Sequence, residues 1–265
     1  MDYAKIMTVF RAASIEAGAA IMEIYGTDDF GTEAKADDSP VTKADMAADK
    51  IIVAALEASL PEIPVVTEER ADSHSVTADT FILVDPLDGT KEFIKRRGEF
   101  TVNIALVENG VPTRGVVYAP AKERLFYTDA SGQSVEEAGP FVAANAGAVT
   151  PMSVTQPGAE GLMVVASKSH RDAATDAYIA KYSVKDMTSA GSSLKFCLVA
   201  AGEADIYPRL GRTMEWDTAA GDAVLRGAGG RMVRFDDHTE YRYGKPGFEN
   251  VFFIAHAPGV ELMPA

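Results

Sequence analysis

Apolar residues recur at helical spacing twice in the first sixty positions of the chain. The first pattern spans residues 4–25 and predicts an amphipathic helix, packed on a core through Ile6, Val9, Phe10, Ala13, Ile21 and Ile24. The second follows Thr42, a favourable helix N-cap, and continues to Leu60 through Ala47, Ile51, Ile52, Ala55 and Leu56. Asp45 lies three positions after Thr42 and so has a purely structural explanation as a capping partner. The polar stretch between the helices, residues 26–39, is predicted to be a mobile connection or a loose hairpin.

Continuous apolar runs indicate strands in the middle of the chain. Residues 81–84 form an aliphatic and aromatic block, which predicts a strand buried on both faces and ended by Asp85. Residues 63–70 predict a shorter strand that ends in the adjacent carboxylates Glu68 and Glu69. If the two strands are neighbours in one sheet, their acidic ends lie together. The next segments predict an antiparallel meander, with strands at residues 100–107, 111–118 and 124–127.

The second half of the chain alternates strand and helix patterns. Small and polar residues dominate positions 130–155, so we place a boundary there and divide the chain into halves 1–145 and 146–265. Beyond it, strands are predicted at residues 162–166, 184–188, 204–207, 231–235 and 251–255. Helices are predicted at residues 172–182 and 192–201 and from Asp217 onward. This order predicts an α/β layer in the second half.

Composition and charge narrow the classes of partner. Among 265 residues, 47% are hydrophobic and 24% charged, which is typical of a globular protein. A formal net charge of −14 argues against a nucleic-acid polymer or an anionic membrane as partner. An anionic small molecule stays compatible, because local cations can invert the potential inside one cleft.

Cysteine usage and hydropathy bear on the compartment. Cys197 is the only cysteine, which excludes an intramolecular disulfide and a thiolate metal site and fits a reducing compartment. We see neither a secretory signal pattern nor a run of the ~20 apolar residues that a membrane span needs. We therefore expect a cytoplasmic protein without an integral membrane segment, and leave open a peripheral contact with the inner membrane.

The stretch Asp85-Pro86-Leu87-Asp88-Gly89 places two carboxylates on a rigid turn. Proline fixes φ and glycine permits a tight reversal, so both acids are held at the end of the strand. Two close anions disfavour each other's ionisation unless a cation lies between them. An ordinary solvated turn explains the same letters equally well.

Glu68, Glu69 and Asp217 extend this acidic set. Each has a simpler explanation by itself, as a solvated strand end for the glutamates or a helix N-cap for Asp217. Taken together, they form an all-oxygen ligand set without histidine or cysteine, which favours Mg²⁺ or Mn²⁺ over zinc, iron or copper. Carboxylates around such ions can activate a water and neutralise a phosphoryl group. The histidines stand in no triad context and no nucleotide-binding glycine motif is present, so other hydrolase and nucleotide chemistries are poorly supported.

Three motifs resemble the inositol monophosphatase-like superfamily of lithium-sensitive, metal-dependent phosphatases. They are Thr-Glu-Glu at 67–69, Asp-Pro-Leu-Asp-Gly-Thr at 85–90 and Glu-Trp-Asp-Thr-Ala-Ala-Gly-Asp at 215–222. Residues 167–172, 191–197 and 204–209 resemble most closely the family's 3'(2'),5'-bisphosphate nucleotidases, which act in sulfur metabolism. The resemblance implies a layered sandwich, in which an N-terminal α+β half and a C-terminal α/β half meet at the metals. It also implies hydrolysis of the 3'-phosphate of adenosine 3',5'-bisphosphate to AMP and phosphate by a metal-activated water.

The resemblance also implies roles for individual residues. It assigns two or three Mg²⁺ ions, replaceable by Mn²⁺, to Glu68, Asp85, the Leu87 carbonyl, Asp88 and Asp217. It assigns the attacking water to Asp45 and Thr90, assisted by Glu69. The residues expected to contact substrate are Gly89, Thr90, His170, Ser192, Ser193, Lys195, Arg209 and Asp217. For the lysine and serines at a helix start, an ordinary surface position is the alternative.

Alternative functions remain open at this point. An inositol-phosphate or fructose-bisphosphate phosphatase would share the acidic residues but would not need the motifs at 191–197 and 204–209. A sensor that binds metal or nucleotide without turnover is a further alternative. A homodimer is also left open.

Overall fold

The first layer of the fold is a pair of helices. In this computed structural model, which describes residues 1–34, 40–169 and 171–265, they are α1 (Tyr3–Tyr25) and α2 (Lys43–Ser59). Both helices are confirmed, and α2 begins with the predicted cap, in which the Thr42 N–H donates to Asp45 Oδ2 at 2.7 Å. A short antiparallel pair lies between them, β1 (Glu33–Ala34) and β2 (Pro40–Val41). None of the described helices is both long and apolar enough to cross a bilayer.

A seven-stranded sheet forms the second layer, with its strands in chain order. They are β3 (Val65–Thr67), β4 (Thr80–Asp88), β5 (Thr101–Glu108), β6 (Val111–Ala119), β7 (Arg124–Thr128), β8 (Ser134–Glu137) and β9 (Val149–Pro151). β3 and β4 are parallel, and every later neighbour pair is antiparallel. The predicted meander is therefore confirmed. β8 and β9 lie in the segment for which no strand was predicted, because β8 is short and mostly polar and β9 has only three residues and ends in proline.

The end of β4 differs from the prediction. We expected Asp85 to end the strand, and this is wrong, because the strand continues to Asp88. Asp85 pairs with Asn103 and Asp88 pairs with Thr101, with a register shift between the two pairs. Such an irregularity bends a strand and redirects its side chains. The two aspartates are thus held by the ladder as well as by the turn. A helix of five residues, α3 (Thr90–Ile94), follows directly.

The second half supplies the remaining three layers. A second sheet has the order β11-β10-β12-β14-β13. Its strands are β10 (Leu162–Ser167), β11 (Val184–Ala190), β12 (Ile206–Arg209), β13 (Arg231–Arg234) and β14 (Phe253–His256). The helices of this half are α4 (Ala173–Ile179), α5 (Leu194–Ala200) and α6 (Ala219–Gly227). The predicted alternation and the layered sandwich are confirmed.

Buried clusters show how the layers stack. One cluster joins α1 and α2 to the first sheet through residues such as Phe10, Ile52 and Ile82. A second lies between the two sheets and contains α5 and α6. The third covers the outer face of the second sheet and includes Tyr178 of α4. Successive residues of β4 enter the first and second clusters alternately, which confirms a strand buried on both faces. The division at residue 145 stays a prediction.

Candidate active site

The carboxyl ends of β3 and β4 bring two acidic turns together. The strands pair in parallel with Thr67 opposite Val84, and the Glu68 N–H donates to the Val84 carbonyl at 3.1 Å. Glu68 therefore stands beside Asp85. Asp217 approaches them from a 3₁₀ turn that precedes α6, Glu215–Asp217. One carboxylate oxygen from each of Glu68, Asp85 and Asp217 lies within 4.8 Å of the other two.

The irregular end of β4 fixes the fourth carboxylate, Asp88. Within it, the Leu87 N–H donates to Asp85 Oδ1 at 3.1 Å. Gly89 then has φ +93°, and a Cβ at this position would lie 3.0 Å from the Glu99 carbonyl oxygen. Both facts require glycine at position 89. Asp88 Oδ2 lies 3.1 Å from Ser193 Oγ and 3.3 Å from Asn103 Nδ2.

The acidic residues are crowded and desolvated. Burial raises the pKa of Asp88 to about 6, against the attraction of Lys195 and the hydrogen bonds from Ser193 and Asn103. Burial raises the pKa of Asp217 well above its ordinary value, and the charges of Asp88 and Glu68 raise it further. The side chains of the cleft therefore do not by themselves compensate this negative charge.

The donor set fits a hard divalent cation. All the clustered side-chain donors are carboxylate oxygens, which is the chemistry that Mg²⁺ and Mn²⁺ prefer. A cation between them would remove the repulsion that raises the pKa of Asp217. The Leu87 carbonyl oxygen lies close by, 3.3 Å from Thr90 Oγ1.

A hydroxyl and a carboxylate stand at the edge of this cluster. Thr90 Oγ1 lies 3.1 Å from Asp45 Oδ1, so α2 reaches the turn after β4 across a sequence separation of 45 residues. Burial raises the pKa of Asp45, against hydrogen bonds from Thr42 and Thr90. Asp45 thus both caps α2 and touches a residue of the cleft. Glu69 is half-buried and follows Glu68 in the turn after β3.

The acids open onto a cleft of about 260 Å³ that also holds four cations. These are Lys91, Lys195, Arg209 and Arg212. Lys195 is only 4% exposed; its Nζ donates to the Ser192 carbonyl at 2.5 Å and to the Ala190 carbonyl at 3.3 Å. Burial lowers the pKa of Lys195 to about 8. One cleft therefore combines an acidic cluster with basic groups, as a metal-assisted reaction of an anionic substrate requires.

Some of the predicted site residues line the cleft, and others lie behind its wall. Those that line the cleft are Glu68, Asp88, Gly89, Thr90, Ser192, Lys195, Arg209 and Asp217. Five others are not among the described residues that line it, namely Asp45, Glu69, Asp85, Leu87 and Ser193. His170 lies outside the described residues. Asn103 was not predicted, although its polar side chain in an otherwise apolar strand is a signal that could have found it.

Comparisons with known proteins identify relatives over most of the chain. The inositol monophosphatase family profile matches residues 2–255. The "3'(2'),5'-bisphosphate nucleotidase CysQ" of Escherichia coli K12 is 47% identical over 219 residues, which cover 82% of this chain and 85% of the relative. The protein of the same name from Buchnera aphidicola is 42% identical and covers 82% of this chain and 79% of its own length.

Solved structures extend the match to the fold. The crystal structure of CysQ from Bacteroides thetaiotaomicron superposes with a TM-score of 0.80 at 40% identity, covering 96% of this chain and 97% of that one. An inositol monophosphatase from Anabaena superposes with a TM-score of 0.74 at 22% identity and covers 98% and 93%, which supports the fold alone. With an acidic cleft at the junction of its two sheets and a family match over nearly its whole length, the chain belongs to the inositol monophosphatase family.

Proposed function

We propose that the protein is a Mg²⁺-dependent phosphatase that hydrolyses the 3'-phosphate of adenosine 3',5'-bisphosphate to AMP and phosphate. The observation that carries the proposal is the pairing, in one cleft, of clustered carboxylates with the buried cations Lys195 and Arg209. A substrate with two phosphates matches this division, because one phosphate can meet the metals and the other the cations. The identity to bisphosphate nucleotidases supports the choice of substrate.

The metal ligands in this proposal are Glu68, Asp85, the Leu87 carbonyl, Asp88 and Asp217. Two or three Mg²⁺ ions, replaceable by Mn²⁺, would supply charge neutralisation at the phosphoryl oxygens and acidification of the attacking water. The protein contributes rigidity, because the ladder of β4 and β5 and the turn at Gly89 hold Asp85 and Asp88 before any ligand binds. Such positioning is the main contribution of a protein to phosphoryl transfer.

Thr90 and Asp45 would orient the attacking water. Thr90 Oγ1 accepts a hydrogen bond from the water while it donates its own hydrogen to Asp45 Oδ1, 3.1 Å away. Burial raises the pKa of Asp45, which makes its carboxylate a better proton acceptor than an exposed one. The proton thus moves from the water through Thr90 Oγ1 to Asp45 Oδ1, and Glu69 assists from the neighbouring turn.

Substrate contacts would come from both halves. Backbone N–H groups of Gly89 and Thr90 hold the phosphate that reacts, at the start of α3. Ser192, Lys195 and Arg209 hold the second phosphate, because ammonium and guanidinium groups form charge-assisted hydrogen bonds with phosphate oxygens. We assign the serine contact to Ser192 in preference to Ser193, since Ser192 lines the cleft and Ser193 is 1% exposed.

A substrate panel tests the proposal. Purified protein in Mg²⁺ is assayed for phosphate release from adenosine 3',5'-bisphosphate, inositol 1-phosphate and fructose 1,6-bisphosphate. We expect kcat/KM for the nucleotide to exceed the others at least about tenfold, equivalent to ~1.4 kcal/mol, and activity to vanish in EDTA. A preference for either sugar phosphate would refute the substrate assignment. Nucleotide binding without phosphate release would instead indicate a sensor.

A further inference from the structure

A hydrogen-bonded pair of buried side chains connects the two halves beneath the acidic cleft. Asn103 lies in β5 and Ser193 precedes α5, and each is only 1% exposed. Asn103 Nδ2 donates to Ser193 Oγ at 2.9 Å across a sequence separation of 90 residues. We call these two residues the Asn103–Ser193 bridge.

The bridge contacts two acidic residues of the cleft: both of its side chains reach Asp88, and Ser193 also reaches Asp217. Asn103 Nδ2 lies 3.3 Å from Asp88 Oδ2, and Ser193 Oγ lies 3.1 Å from the same oxygen. Ser193 Oγ also lies 2.7 Å from the main-chain carbonyl oxygen of Asp217. Asp88 belongs to the first sheet and Asp217 to the turn before α6, so the bridge joins residues from opposite sides of the cleft.

The number of available hydrogens determines which group of the bridge donates to which acceptor. A side-chain amide has two N–H hydrogens and a serine has one O–H. The amide nitrogen must point at Asp88, because an ionised carboxylate only accepts hydrogen bonds. Its two hydrogens serve Asp88 and Ser193, and the single serine hydrogen is shared between Asp88 Oδ2 at 3.1 Å and the Asp217 carbonyl oxygen at 2.7 Å. All three hydrogens of the bridge are then used.

The backbone around the bridge is rigid. Asn103 pairs directly with Asp85 in the β4–β5 ladder, so its main chain cannot shift without moving an acidic residue of the cluster. By contrast, no backbone pairing between Asp88 and Asp217 is among the contacts of the described residues. Side-chain hydrogen bonds of the bridge therefore link them, and Ser193 Oγ by itself lies within hydrogen-bond distance of both.

We propose that Asn103 and Ser193 are positioning residues that fix the separation and orientation of Asp88 and Asp217 and so assemble the metal site from two halves. The inference rests on the proposed function in one respect, that these two aspartates bind the metal. Groups that orient metal ligands commonly change metal affinity or activity about 10–100-fold when removed. Asn103 and Ser193 do this without touching substrate.

The test compares Ser193→Ala with the matched control Ser134→Ala. Ser134 is equally buried, and its Oγ also donates to a main-chain carbonyl, that of Val224 at 2.6 Å. Ser134 makes that bond away from the acidic cluster, so it reports the cost of losing such a bond alone. Asn103→Ala and the double variant Asn103→Ala/Ser193→Ala complete the set.

Two readouts are measured for each variant. One is the Mg²⁺ concentration that gives half-maximal phosphate release, and the other is the rise in Tm caused by Mg²⁺ without substrate. For the bridge variants we expect the half-maximal concentration to rise at least about tenfold and the Mg²⁺-induced rise in Tm to shrink. Ser134→Ala should lower Tm in EDTA to a similar degree and leave both metal readouts unchanged. In the double variant, the half-maximal Mg²⁺ concentration should rise by less than the product of the two single increases, since both residues contact the same oxygen of Asp88.

Unchanged metal readouts in Ser193→Ala, or equal changes in Ser134→Ala, would overturn the inference. If Asn103→Ala does not fold, Ser193→Ala, which loses a single hydroxyl, decides alone. A wild-type protein whose Tm does not respond to Mg²⁺ would refute the metal site and the bridge together. If Mg²⁺ raises the Tm of wild type and of the bridge variants equally, the role of the bridge is refuted, but the proposed function is not.

Discussion

Replacing Asp88 with asparagine should have opposite effects on metal-free stability and on activity. Asp88→Asn keeps the shape of the side chain and removes its charge, and its amide oxygen can still accept from Asn103 and Ser193. In the metal-free protein this charge destabilises the folded state, because burial raises the pKa of Asp88 from its ordinary value of 3.8 to about 6. The substitution removes the destabilising charge, and it also removes a proposed metal ligand.

The gain in metal-free stability from Asp88→Asn depends on pH. A carboxyl whose pKa is raised from 3.8 to about 6 on folding destabilises the folded state by at most about 3 kcal/mol once pH exceeds both values. Below the unfolded pKa both states are protonated and the cost disappears; at pH 5 roughly half of it is present. Metal-free wild type should therefore lose stability as pH rises through this window, and Asp88→Asn should lose less.

Thermal unfolding in EDTA at pH 5 and pH 8 measures this difference. At roughly 2–4 °C per kcal/mol for a chain of this size, Asp88→Asn should unfold several degrees above wild type at pH 8 and with a smaller margin at pH 5. The exposed Asp186→Asn provides a control with the same charge change. In Mg²⁺, wild type should instead unfold at the higher temperature, and phosphate release by Asp88→Asn should be at least about 100-fold slower than by wild type. A variant less stable than wild type in EDTA at pH 8, or one with wild-type turnover, would refute the reasoning.

Three further substitutions test the remaining roles. Thr90→Val should lower kcat about 10²–10⁴-fold with little change in KM, and Thr90→Ser should restore most of it; equal losses in both would remove the hydroxyl from the mechanism. Lys195→Met should raise KM for adenosine 3',5'-bisphosphate roughly 10–100-fold but barely change it for adenosine 3'-monophosphate, which lacks the second phosphate. Because burial lowers the pKa of Lys195 to about 8, wild-type KM for the bisphosphate should rise above that pH, and a flat profile would contradict the assignment. Gly89→Ala, measured by urea unfolding and activity, should destabilise the protein by about 1–3 kcal/mol, since φ is +93° and the new Cβ would lie 3.0 Å from the Glu99 carbonyl oxygen; an unchanged midpoint would show that the turn adjusts.

Local patterns account for the elements and for part of the site. Helical periodicity located α1 and α2, and Thr42 with Asp45 predicted the start of α2. These features depend on residues a few positions apart, so sequence alone is sufficient for them. The parallel pairing of β3 with β4 was a conditional expectation, and the structure confirms it. The metal and substrate roles of individual residues stay predictions.

The long-range arrangement could not be read from the sequence. The residues around Asp85 fit an ordinary turn as well as a metal site. Spacing alone explains Asp45 as a helix cap, and only the family resemblance pairs it with Thr90, whose Oγ1 lies 3.1 Å from Asp45 Oδ1 in the structure. The sequence gives no role to Asn103, because its hydrogen-bond partners lie 15 and 90 positions away along the chain.

Local sequence patterns are sufficient for the two long helices, for most of the strands and for the acidic residues that follow β3 and end β4, because spacing over a few residues decides each of them. Tertiary structure alone decided that Asp217 meets Glu68 and Asp85 within 4.8 Å and that a buried asparagine and serine lie beneath them. The physical reason is that carboxylates repel one another and converge only where the packing of two sheets and the helices between them holds them together.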